Sequence, residues 1–196
     1  MVKAVLSDTQ SRYRALMQLA SLKNRIRIAL TTTIVDEWSL LSTTSGTSRP
    51  TERGVAFHLG WHLRPMIERA WDIDCEYNRS AMDLEAVVAL EDVEGRGIPD
   101  LIVHHRGKLG PEHNLLLLEL ATDRISPDGA EFKRARALQQ RFGYQYAGLL
   151  DLRLGIDGHL IAPHWQWSTL EDGPVDDSEV YTPEMLDDVI SRTSGA

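Results

Sequence analysis

Two segments, Pro99-Asp100-Leu-Ile-Val-His-His-Arg106 and Asn114-Leu-Leu-Leu-Leu-Glu-Leu-Ala121, carry the unbroken apolar runs Leu101 to Val103 and Leu115 to Leu118, and only a stretch punctuated by Gly107, Gly110 and Pro111 separates them. A strand with one face in water alternates apolar and polar residues, whereas an unbroken apolar run of strand length is covered on both faces. The pair therefore predicts an antiparallel hairpin in the middle of a sheet flanked by helices, an α/β arrangement.

Arg106 and Asn114 flank the turn, so facing residues have numbers that sum to about 220 in an antiparallel ladder. Asp100 then lands beside Glu119 or Leu120. Two carboxylates brought together inside a sheet repel each other and lose hydration, which is costly unless a cation or a shared proton compensates. Hard divalent cations such as Mg²⁺ take this kind of all-oxygen site.

The rest of the chain supplies the flanking elements. Ser7 and Gln10 form a capping-box pattern ahead of Tyr13, Leu16, Met17 and Ala20, which predicts a first helix. A second follows from the stripe Ile26, Leu30, Ile34, Trp38 and Leu41. Ser42 to Pro50 is rich in Ser, Thr and Gly and reads as an exposed connection. It divides the chain into an N-terminal helical appendage, residues 1–48, packed on an α/β core of residues 49–196.

Thr51 or Ser48 can cap a helix that buries Val55, Leu59, Leu63, Met66 and Ile67 and carries Glu52 in its first turn. Trp71 to Tyr77 reads as a strand with Ile73 and Cys75 opposite Asp74 and Glu76. After the hairpin come a helix from Asp128 to Phe142 stopped by Gly143, strands over Tyr144 to Leu154 and Leu160 to Trp167, and a closing helix from Thr182-Pro183-Glu184 to a frayed Ser194-Gly195-Ala196 tail.

In this order, Glu52 opening a helix, a strand, Pro99-Asp100 starting a second strand, Glu119 near the end of a third, then a helix and a strand, the chain resembles the αβββαβ core of the PD-(D/E)XK nucleases. The resemblance spans Glu52 to Leu154 and implies a restriction-endonuclease-like fold. By it, Asp100 and Glu119 are metal ligands together with the Leu120 carbonyl, Glu52 is oriented toward the metal, and Mg²⁺ or Mn²⁺ is the cofactor of phosphodiester hydrolysis on DNA or RNA. The motif has Lys two residues after the Glu, and this chain has Ala121 there. Lys133 or Arg134, early in the following helix, is expected to fill the vacancy, with Arg124 closer in sequence but past the strand end. The alternative is a catalytically inactive member of the same fold, kept as a binding or assembly module with a protein partner.

Lys133, Arg134, Arg136 and Arg141 give one helix a basic face, and Arg79 with Asn78 ends the first strand; these are the expected nucleic-acid contacts. The formal net charge of −8 argues against non-specific coating of DNA, because that affinity comes from excess Lys and Arg. His58 and His62 stand four apart on a helix, a zinc-competent spacing, but no Glu lies between them and no Cys pair accompanies them, so they are expected to be surface or packing residues. His104 and His105 are adjacent on a strand and point to opposite faces.

With 42% hydrophobic and 26% charged residues in 196, the chain has material for one substantial core. Its lone Cys75 cannot form an internal disulfide, the N-terminal residues lack a secretory signal pattern, and no run reaches the roughly 18 apolar residues of a membrane span. A cytoplasmic protein with no membrane segment is expected.

Overall fold

The computed structural model describes residues 2–42, 51–77, 98–122, 126, 129–153 and 160–193, with side chains from residue 18 onward. The chain opens on one helix, α1 (Val2–Asp36), where two were expected, and α2 (Trp38–Leu41) follows. No Gly or Pro interrupts residues 2–36, so nothing forces a break, and the backbone of Ser7 to Gln10 is helical rather than a helix start. The Thr31–Thr33 run is accommodated because each hydroxyl bonds back to the carbonyl four residues earlier, on Arg27, Ile28 and Ala29. Ile26, Leu30, Ile34 and Leu41 are buried as the stripe predicts. Residues 43–50 of the expected connection lie outside the described residues, as do Asn78, Arg79, Arg124 and the tail from Ser194.

The Thr51 hydroxyl accepts a hydrogen bond from the Gly54 N–H and starts α3 (Glu52–Leu63), which continues into a 3₁₀ turn over Arg64–Met66. Among the described residues, six strands form one sheet in sequence order: β1 (Asp72–Cys75), β2 (Leu101–His104), β3 (Asn114–Ala121), β4 (Tyr146–Asp151), β5 (His164–Thr169) and β6 (Gly173–Val175). All neighbours are antiparallel except β3 and β4. That parallel pair needs a crossover, supplied by α4 (Ala130–Phe142), which Gly143 ends in the left-handed conformation at φ 70°. A final helix, α5 (Pro183–Thr193), starts where the Thr182 hydroxyl accepts from the Met185 N–H.

The fold is thus α/β, with a mixed sheet between helices. Leu116, Leu118 and Leu120 share one buried cluster with α1, α3 and α5, whereas Ile102, Leu117 and Ala147 pack with Ala135 and Leu138 of α4. Strand alternation places Glu119 and Ala121 on the α4 side with Leu117. The strand expected over Leu160 to Trp167 begins later, at His164, because Pro163 has no N–H to give a ladder. The unexpected β6 is three residues long and holds Pro174 on the sheet edge, too short to show a period in the sequence. No helix among the described residues is long and apolar enough to cross a membrane.

Candidate functional site

The hairpin register pairs Leu101 with Leu118, Ile102 with Leu117 and Val103 with Leu116. One step further out, Asp100 meets the β3 backbone at Glu119 and Leu120, and its Oδ2 accepts the Leu120 N–H at 2.8 Å. The Asp100 carbonyl accepts the Glu76 N–H at 3.1 Å, which ties this point to the end of β1 as well. Glu119 lies beneath α4 and is 1% exposed.

Burial is the main force on both carboxyls. It pushes Asp100 up to about 6, against the Leu120 N–H, which favours the ionised form; Glu52 adds to the rise and Arg134 opposes it. Glu119 is pushed to about 7 by burial, Arg134 pulling it down and Asp100 pushing it up. Glu52, exposed in the first turn of α3, is close enough to act on both. Glu76, which the sequence reading assigned only to a strand face, is a fourth carboxylate of this field and pairs with Arg53.

Arg134, one of the residues expected to fill the place of the motif Lys, contacts Glu119: its Nη2 donates to Glu119 Oε2 at 2.6 Å. Lys133, one residue earlier, is exposed. Arg136 stands two residues on, about 200° around the helix, and its guanidinium lies against Gly173 of β6. Glu119 Oε1 and Arg134 Nε are both buried without a hydrogen-bond partner among the described residues. An ion pair with one buried atom orphaned on each side is an incomplete polar network.

Cys75 packs against Gly60 of α3. Burial, then Asp74, Asp100 and Glu76, push its thiol up to about 11, which keeps it protonated and a poor nucleophile. His104 and His105 do face apart: His104 Nε2 is 2.8 Å from Asp74 Oδ2, and His105 stacks on Trp71 with ring centroids 4.1 Å apart.

His58 and His62, expected as surface or packing residues, are partly buried on α3. They meet Glu37, the residue between α1 and α2, and the three ligand atoms lie within 4.8 Å of one another. Nothing local in the sequence links Glu37 to α3; the contact arises only when α1 and α3 pack.

No protein-family model, curated protein or solved structure matches this chain.

Proposed function

We propose that Asp100 and Glu119, with Glu52 and Arg134, form a divalent-metal-dependent phosphodiesterase centre acting on nucleic acid, a divergent member of the PD-(D/E)XK nucleases. The observation that carries this reading is the pairing of Asp100 with the Glu119–Leu120 backbone at the centre of the sheet, with both carboxyls raised by burial. The element order from α3 through β1, β2, β3 and α4 to β4 supports it.

The residues fit a hard divalent cation. When ionised, Glu52, Glu76, Asp100 and Glu119 set four negative charges against the guanidiniums of Arg53 and Arg134, an excess of two. The buried Oε1 of Glu119 has no partner and would take one, and Asp100 with the Leu120 carbonyl completes an all-oxygen set for Mg²⁺ or Mn²⁺. Such a cation, when bound, lowers the pKa of water and offsets charge on a scissile phosphate.

The chain's own residues supply the rest. Asp100 is held in place by the Leu120 N–H, so the carboxylate is oriented before anything binds. Glu52, exposed at the mouth, receives and orients water. Arg134 replaces the positive charge of the motif Lys but not its proton chemistry, because a guanidinium does not deprotonate. Its role is therefore electrostatic, a donor toward charge developing on a phosphate oxygen, with its unpartnered Nε as the available hydrogen.

Ala121 and the Arg134–Glu119 ion pair favour a second reading, an inactive site whose carboxylate is neutralised internally and whose fold serves as a binding or assembly module. Nuclease assays on single- and double-stranded DNA and RNA with Mg²⁺ or Mn²⁺ separate the two. Cleavage that drops about 100-fold or more in Asp100→Asn/Glu119→Gln supports the enzyme. Absence of cleavage, or cleavage that the double variant retains, removes it.

A further inference from the structure

Glu37 sits where α1 ends and α2 begins, at φ −108° and ψ 26°, and its side chain makes no capping hydrogen bond to α2. Its carboxylate turns instead to α3. There the four-residue spacing places His58 and His62 on one side of the helix. Glu37 Oε1 is 3.0 Å from His58 Nδ1 and 3.9 Å from His62 Nε2. The second separation is too long for a hydrogen bond, and His62 Nε2 is buried with no hydrogen-bond partner among the described residues.

An ordinary carboxylate–histidine pair accounts for His58 but leaves His62 Nε2 orphaned and aimed at an oxygen it does not reach. A metal ion accounts for all three atoms. Tetrahedral zinc, with bonds of about 2.0–2.1 Å, sets its ligand atoms roughly 3.3 Å apart. The separations of 3.0 and 3.9 Å from Glu37 Oε1 bracket that spacing, and all three ligand atoms lie within 4.8 Å of one another. Two imidazoles and one carboxylate suit borderline ions of the zinc class over Mg²⁺, which prefers oxygen alone. Glu37 and the His58 side chain are each about a third exposed, at 30% and 29%, so the remaining coordination positions open to water.

We propose that Glu37, His58 and His62 bind one zinc-class divalent ion that pins the α1–α2 corner to α3. The site stands apart from Asp100 and Glu119 and does not depend on their function.

The test is titration of Zn²⁺ alone into tag-free, full-length protein stripped with a chelator, read by calorimetry, with Co²⁺ absorption as a second measurement. One zinc per chain is expected, with affinity falling about tenfold or more in Glu37→Gln and in His62→Gln. Unchanged affinity is expected in His105→Gln/His113→Gln, the control for the other facing pair of imidazoles, whose Nδ1 atoms lie 3.1 Å apart. Wild-type protein loaded with Co²⁺ should show the intense visible bands of low-coordinate ligation, a readout needing no variant. Absence of zinc binding, loss of binding in the His105/His113 variant alone, or a Co²⁺ spectrum like that of the free aquo ion would overturn the assignment.

Discussion

Arg134 Nη2 lies 2.6 Å from Oε2 of Glu119, so a guanidinium on the first turns of α4 neutralises a carboxylate that is 1% exposed in the centre of the sheet. Ala121, two residues along β3 from Glu119, leaves the strand face without a cation of its own. The positive charge this site needs comes from a different backbone position.

Removing that charge leaves Glu119 buried and unpaired. Arg134→Met is expected to lose about 1–2 kcal/mol of stability at pH 8, roughly 1.4 kcal/mol per pH unit above the Glu119 pKa of about 7, because the unpaired carboxyl takes up a proton instead of staying charged. The loss shrinks at pH 5, below the pKa of about 7 to which Glu119 is already raised, because the carboxyl is then neutral. Urea denaturation at the two pH values checks this, and Arg134→Met/Glu119→Gln should regain most of the deficit. A loss of equal size at both values would place the effect in packing rather than charge.

Asp100 and Glu119 should also make the wild-type protein less stable as pH rises. Their folded-state pKa values, about 6 and about 7, stand above the ordinary 3.8 and 4.5. Their contribution is therefore fully present below about pH 4, falls as the unfolded chain gives up protons that the folded chain retains, and levels off above about pH 7. Relative to Asp100→Asn/Glu119→Gln, wild type is expected to lose at least about 2 kcal/mol between pH 4 and 8, each pKa unit being worth roughly 1.4 kcal/mol. Excess Mg²⁺ should recover part of this at pH 8 and none at pH 4, since the cation takes ionised carboxylates. Thermal melts across that range, with and without Mg²⁺, provide the measurement.

If Arg134 performs the electrostatic work of the motif Lys, moving the charge back to the strand should restore function. Arg134→Met is expected to reduce nuclease activity about 100-fold, and Ala121→Lys/Arg134→Met to recover a substantial part of it. Initial rates on a fluorescent oligonucleotide decide the matter. Recovery in a folded double variant is the expected result; a folded double variant as inactive as Arg134→Met would mean that position 121 no longer faces the reacting phosphate.

Gly148 of β4 is required for space rather than for backbone conformation. A Cβ there would come within 2.9 Å of Leu118 Cδ1 and 3.0 Å of Trp167 Cζ3, on the face packed by α1 and α3. Gly148→Ala should cost about 1–3 kcal/mol through overpacking. Pairing it with Leu118→Val should relieve part of the cost, which denaturant titration of the single and double variants will show.

Short-range rules sufficed for much of this protein. Thr51 and Pro183 mark helix starts because capping involves neighbouring atoms only, and Gly143 ends α4 because a left-handed residue is needed there. The apolar runs on either side of the 107–111 turn determined the β2–β3 hairpin, and with it the proximity of Asp100 to the Glu119–Leu120 backbone, since a hairpin register follows from counting outward from its turn. Tertiary structure decided the rest. Which basic residue of α4 reaches Glu119 depends on how that helix lies across the sheet, so Arg134 rather than Lys133 could be identified only once β4 had folded back parallel to β3. Glu37 joins His58 and His62 because α1 packs against α3, a contact that leaves no period or motif in either segment. Local hydrogen bonding and hydrophobic periodicity are written along the chain, whereas the meeting of distant side chains depends on the packing of whole elements.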